Sequence, residues 1–247
     1  MNILAISNSF GVDANRYLHQ LAEAAGENLN IATLYIPSCS LEMHYRNMLG
    51  DKPDYDLHFN GVYTGFKVSI EQALLARKWD VVTLQQASYF SPKQDSYFPY
   101  AQELYDCIKT CQPQAQIWMH QTWAYADGSA QLAGAKYETS AAMFTDIQNA
   151  YLRCHKELET DGIIPAGKVL MTLGERTGIP VHRDGLHATM GLGRYALGLT
   201  WLRTLTGCPA KGNPYKNFDQ PILPEHIALA QELVDEIDLS EFYRKEG

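Results

Sequence analysis

A serine hydroxyl, an imidazole and a carboxylate can together make a hydrolytic nucleophile. This sequence places them in two short segments far apart, Ser7-Asn8-Ser9-Phe10 near the start and Asp184-Gly185-Leu186-His187 towards the end. A serine hydroxyl is a weak nucleophile until a neighbouring base removes its proton. An aspartate three residues before a histidine can reach the imidazole Nδ1–H, hold the tautomer and stabilise the imidazolium formed during reaction. Such a set hydrolyses esters through an acyl-enzyme. Each part has a plainer reading: Ser9 as a helix cap, and Asp184 with His187 as a loop ion pair. It is their conjunction that points to chemistry.

For these groups to meet, the chain must bring residue 9 next to residue 187. The run Asn2 to Ser7 reads as a strand, and Tyr17, Leu18, Leu21 and Ala25 mark a helix over 14–25 that stops at Gly26. Ser9 is then expected at the C-terminal edge of a sheet beside a helix N-terminus, where N–H groups can face a developing oxyanion. Ile31 to Ile36 is a second strand of the continuous apolar kind found in buried parallel sheets. Tyr55 to Val68 alternates around Asn60-Gly61 and predicts a hairpin insertion.

A helix over 69–78 leads to a third core strand, Asp80 to Gln85. A helix over 99–111 leads to a fourth, Gln116 to Gln121. Met143, Phe144, Ile147, Tyr151, Cys154 and Leu158 fall at three- and four-residue steps and predict a helix over 140–160. Ile163 to Pro165 is a short fifth strand, with helices over 189–206 and 224–237, and 207–224 is a loop rich in Pro, Gly and Asn. This β-α repetition predicts a three-layer α/β/α sandwich built as one domain over 1–247, with ligands bound beyond the C-terminal strand ends.

Composition narrows the function class. With 247 residues and 46% hydrophobic side chains, the chain can bury a full core. A net charge of −8 with 20 scattered basic residues argues against a nucleic-acid partner. No apolar run approaches the length of a membrane span and no leader pattern precedes the first strand, so a cytoplasmic location without a membrane partner is expected. Oligomeric state is not legible.

The 5 cysteines (Cys39, Cys107, Cys111, Cys154, Cys208) are odd in number and sparse, which fits buried thiols in a reducing compartment. His182, Asp184 and His187, with His120 or His44, invite a metal reading, but the sequence lacks a His-Glu-x-x-His or similar helical pair. Neither metal nor cofactor is therefore expected. Cys39 with His44 as a nucleophilic pair is weaker than Ser9 with His187.

The first and last segments, and the order of strands and helices over nearly the whole chain, resemble SGNH (GDSL-type) hydrolases, in particular a bacterial branch whose first block reads Gly-Asn-Ser-Phe. The resemblance implies Ser9 as nucleophile, His187 as base and Asp184 as its partner. It also implies a flavodoxin-like five-stranded parallel sheet of order 2-1-3-4-5, and a serine esterase removing a short acyl group, acetyl above all, from a carbohydrate or other polar ester. A lipase or thioesterase with the same triad, and a silent glycan-binding relative, are the alternatives.

For the oxyanion hole it implies the Ser9 N–H, a second donor from Ser38 or Cys39 where the family has a glycine, and a third from Gln85 or Gln86. The family's Gly-x-Asn-Asp block is replaced here by Ala87-Ser88-Tyr89. Strand side chains alternate, so only one of the two glutamines can face the site, with Gln85 favoured. Asn8, His44, His120, Trp123 and Tyr125 are expected around the substrate, the aromatic and amide groups of the fourth-strand end suiting a sugar ring.

Overall fold

Aliphatic residues on both faces of strand β1 (Asn2–Ser7) bury it at the centre of a single sheet. The computed structural model describes residues 1–243. In chain order, β1 is followed by α1 (Ser9–Asn15), α2 (Leu18–Ala24), β2 (Asn30–Tyr35), α3 (Leu41–Leu49), β3 (Tyr55–Phe59), β4 (Val62–Val68), α4 (Ile70–Leu75) and β5 (Val81–Leu84). Next come α5 (Tyr100–Cys111), β6 (Gln116–His120), α6 (Ala130–Gly134), α7 (Ser140–Leu158), β7 (Gly162–Ile164), α8 (Ala166–Thr177), α9 (Leu192–Thr206) and α10 (Pro224–Glu236). No helix among the described residues is long and apolar enough to cross a membrane.

The sheet order is β4-β3-β2-β1-β5-β6-β7. Its parallel core, β2-β1-β5-β6-β7, is the expected 2-1-3-4-5 order when only the parallel strands are counted. The sheet as a whole is seven-stranded and mixed rather than five-stranded and parallel, because the 55–68 insertion pairs antiparallel with β2 (Tyr35 opposite Asp56) and so extends the sheet. Asn60 (φ 51°) and Gly61 (φ 81°) supply the two left-handed residues a tight hairpin turn needs. A Cβ on Gly61 would lie 2.2 Å from the Arg16 carbonyl oxygen, so the turn can pack on the end of α1 only as glycine.

Helices α1, α2, α8, α9 and α10 cover one face; α3, α4, α5 and α7 cover the other. Helix α9 carries Leu192, Tyr195, Ala196, Leu197, Leu199, Trp201 and Leu202 around its whole circumference, as suits a helix buried beneath its neighbours. The helix expected over 14–25 is two pieces: α1 begins at Ser9, five residues earlier, and the chain kinks between Arg16 and Tyr17 before α2. The sequence reading passed over α3, α6 and α8. All three carried signals, Ser40 and Ser129 as N-caps for α3 and α6 and a left-handed Gly178 at the end of α8.

Candidate active site

Asn8, not Ser9, caps α1. It is extended (φ −126°, ψ −157°) and its Oδ1 accepts the Phe10 N–H at 3.1 Å. The same Oδ1 accepts from Gln85 Nε2 at 2.6 Å, and Asn8 Nδ2 donates to the Cys39 carbonyl at 3.0 Å. One buried amide thus ties the ends of β1 and β5 to the loop after β2. This leaves Ser9 as the first helical residue, its hydroxyl free of capping duty.

The imidazole comes from the segment between α8 and α9. His187 Nε2 lies 2.9 Å from Ser9 Oγ, and His187 Nδ1 lies 2.8 Å from Asp184 Oδ2. The other carboxylate oxygen, Asp184 Oδ1, accepts the His187 N–H at 2.7 Å and the Leu186 N–H at 3.2 Å. Partial burial pushes the Asp184 carboxyl up, but the backbone and imidazole donors of His187 outweigh it and hold the group below the usual carboxylate range.

This loop is anchored on several sides. Gly185, at φ +80°, turns its carbonyl to accept the Ala126 N–H at 2.8 Å, and Gln131 Nε2 donates to the Asp184 carbonyl at 3.2 Å. Trp123 Nε1 donates to the Leu186 carbonyl at 2.9 Å. The Trp123 ring stacks on Phe10 with centroids 4.0 Å apart, and Phe10 presents its edge to His187 at 6.0 Å. Arg183 Nη1 contacts both oxygens of buried Asp13 at 3.0 and 2.9 Å and also the Ala188 carbonyl, while Arg194 Nε reaches Asp13 Oδ1 at 2.9 Å. Asp13 sits on α1 four residues after Ser9, so one carboxylate references the His187 loop to the helix that begins at Ser9.

A cavity of about 150 Å³ opens over this constellation, lined by Asn8, Ser9, Tyr35, Pro37, Ser38, Ser88, Leu186 and His187. Among the described residues the backbone N–H groups of Ser9 and Ser38 donate to no protein acceptor, whereas the Cys39 N–H is spent on the Ile36 carbonyl at 3.3 Å. Ser38 has φ 54°, the left-handed conformation that glycine adopts most readily. The backbone shape survives although the glycine does not.

Several expected site residues lie elsewhere. Gln85 and Gln86 are both buried, and neither lines the cavity. Gln85 Nε2 is directed at Asn8 and its Oε1 faces His120 Nδ1 at 2.8 Å; Gln86 Oε1 accepts from the N–H groups of Leu41 and Ala87, and its Nε2 donates to Ser96. Their amides satisfy buried loop backbone and side chains, so the expectation of a glutamine oxyanion donor is corrected.

His44 and His120 are interior residues too. His44 Nδ1 pairs with the Tyr55 hydroxyl at 2.8 Å and His120 packs edge-on against Trp201, and burial lowers both imidazoles to about 3. Trp123 and Tyr125 are buried behind the site rather than over it, and neither lines the cavity. Of the five residues expected around a substrate, only Asn8 lines the cavity, with its side chain engaged as described.

Burial pushes the Cys39 thiol up to about 12, which removes the thiolate a nucleophile needs. His182 commits its Nε2 to the Ala124 carbonyl at 2.9 Å. Among the described residues no three His, Cys, Asp or Glu side chains are grouped as a metal ion would need. Ser88, which replaces the third-block pattern, was passed over by the sequence reading; its signal was its place four residues past the end of β5, at the same sheet edge as Ser9.

No curated protein matches the chain. Among solved structures, the chain is similar to a DUF4886 family protein from Bacteroides uniformis at 33% identity and TM-score 0.86, with 95% of this chain and 93% of that one covered. It shares its fold, at 20% identity and TM-score 0.57, with a chain named as a candidate SGNH hydrolase from Slackia heliotrinireducens, covering 82% of this chain and 97% of that one. At 14% identity and TM-score 0.56 it likewise resembles a chain named as a candidate GDSL-like lipase from Parabacteroides merdae, over 82% and 94% of the two. The architecture is thus that of the SGNH hydrolases. The family model for the domain of unknown function DUF4886 matches residues 2–227, and the chain belongs to that family.

Proposed function

We propose that this protein is a serine esterase that hydrolyses short-chain acyl esters of polar alcohols, acetylated carbohydrates being the leading candidates. The observation that carries the proposal is the unbroken line from Asp184 through His187 to Ser9, at 2.8 and 2.9 Å. Neutral His187 accepts the Ser9 proton at Nε2 as Ser9 Oγ attacks the acyl carbonyl, and the carbonyl oxygen becomes an oxyanion facing the Ser9 and Ser38 N–H groups. The intermediate collapses to an acyl-enzyme, and the departing alkoxide takes the proton from His187. Water repeats the sequence, losing its proton to His187, and the acid leaves as Ser9 regains its hydrogen.

The size of the cavity, about 150 Å³, supports a short acyl group. Trp123 and Tyr125 are not available as a sugar platform, but Tyr35 walls the cavity, and Ser88, which also lines it, is followed in sequence by the exposed Tyr89 and Phe90. A fluorophosphonate probe should label Ser9 and no other residue, and Ser9→Ala should lose both labelling and nearly all turnover of 4-nitrophenyl acetate. Turnover should fall steeply from acetyl to octanoyl esters. An active Ser9→Ala variant refutes the mechanism, and a preference for octanoyl esters refutes the substrate class.

A further inference from the structure

With Gln85 and Gln86 committed elsewhere, the proposed oxyanion hole has two backbone donors and no side-chain donor. We infer that the Ser88 hydroxyl is its third donor, with Tyr125 as the positioning residue that aims it; the inference rests on the Ser9 mechanism above.

Ser88 lines the same small cavity as Ser9 and Ser38, and its Oγ lies 2.9 Å from the Tyr125 hydroxyl. Either oxygen could donate across that distance. Tyr125 is 5% exposed, and among the described residues Ser88 is its only hydrogen-bond partner. Were Ser88 to donate, the phenolic proton would be enclosed with no protein acceptor, the costly arrangement for a buried donor. Tyr125 therefore donates and Ser88 accepts. Burial raises the phenol above the usual tyrosine value, so it keeps the proton it donates.

That direction leaves the Ser88 proton without a protein acceptor, on a hydroxyl that borders the cavity. A serine rotor alone would spend its proton among several orientations. One whose lone pair is already held from behind presents its O–H on the side away from Tyr125. The aim matters because an oxyanion donor is worth most when it is set before charge develops. The other cavity hydroxyls are not comparably held: Ser38 and Tyr35 have no side-chain hydrogen bond among the described residues, and Ser9 is the nucleophile.

Ser88→Ala should lower kcat for 4-nitrophenyl acetate by roughly 10²-fold, the scale of one oxyanion donor, with KM changed little. Tyr125→Phe keeps the Ser88 hydroxyl but releases its aim, and should lower kcat about 10-fold. The double variant should be no slower than Ser88→Ala, and Ser88→Thr should restore most of the rate. An unchanged kcat in folded Ser88→Ala, or a loss confined to KM, overturns the inference. So does multiplication of the two single effects in the double variant. Should Ser88→Ala not fold, Tyr125→Phe decides, and wild-type kcat in it is the overturning result. Fluorophosphonate labelling of Ser9 in the parent protein separates the two levels: failure there removes the Ser9 mechanism itself, whereas success there with unaltered Ser88→Ala turnover removes only the role of Ser88.

Discussion

The indole Nε1 of Trp123 donates to the carbonyl oxygen of Leu186 across 2.9 Å, one residue before His187. Trp123 is fully buried and stacked on Phe10, so it fixes the height of the His187 loop from inside the core. Trp123→Phe keeps an aromatic ring but leaves the Leu186 carbonyl unpaired, at a cost of about 1–3 kcal/mol in stability. A misplacement near 1 Å at the reacting atoms can cost roughly 10²-fold, so kcat should fall between about 10- and 100-fold in the folded variant. Steady-state kinetics beside a urea titration checks this, and a variant that is only less stable would show that the loop holds its height without the indole.

Asp184 divides its two oxygens between two tasks, one turning the backbone and one holding the imidazole. Asp184→Asn can keep the first contact, but its amide N–H faces Nδ1 and requires a proton on Nε2, where His187 must accept from Ser9. Turnover should drop by roughly 10⁴-fold with stability almost unaltered. Asp184→Ala should lose as much turnover and also destabilise the loop, which thermal melts of the two variants side by side would reveal.

Asp13 is 1% exposed and pairs with Arg183 and Arg194 at once, with Asp219 as a second partner of Arg194. Removing one partner from such a cluster leaves uncompensated charge, commonly at about 3–5 kcal/mol. Asp13→Asn should destabilise by an amount on that order, and should lower turnover because the loop from His182 to Ala188 loses its tie to α1. A chemical-denaturation difference under about 1 kcal/mol would mean that Arg183 and Arg194 find other partners.

His44 and His120 give the folded protein an acid liability. Both are held neutral by burial, with values lowered to about 3, whereas in the unfolded chain a histidine binds its proton near ~6.5. Above that value neither state is protonated and the two residues contribute nothing to the pH dependence. Below it the unfolded chain binds more protons, so stability falls as pH drops, by about 1.4 kcal/mol per unit for each histidine. Unfolding free energies at pH 7.5, 6 and 5 should show this limb, to which His58 and His182, also lowered by burial, add, and His120→Gln should reduce its slope. An identical slope in that variant would place the acid sensitivity elsewhere.

The parallel core was legible because its strands announce themselves locally, as in the continuous apolar run Ile31 to Ile36, and the antiparallel hairpin because Asn60-Gly61 is a turn that few other residues could make. The meeting of Ser9, His187 and Asp184 was legible for a different reason, since Asp184 and His187 satisfy each other within one turn and Ser9 stands at a strand end. What escaped were polar side chains whose role depends on neighbours remote in sequence. Gln85 sits in the expected segment, but its amide is claimed by Asn8 and His120, residues 77 before and 35 after it. His44, His120, Trp123 and Tyr125 carry polar atoms suited to a ligand, yet each is buried among elements whose packing the sequence does not spell out. Ser88 looked like a departure from a pattern until its tyrosine partner was in place.

Ser9 and His187, the proposed nucleophile and base, are 178 residues apart in the chain. A folding intermediate that has paired β1 with β2 and β5 but has not docked the His187 loop holds much of the secondary structure and no working site. Regain of the proposed hydrolysis during refolding should therefore time the arrival of the last quarter of the chain on the first helix. An activity assay run against circular dichroism becomes a clock for long-range assembly, a use that a site built within one local segment could not serve.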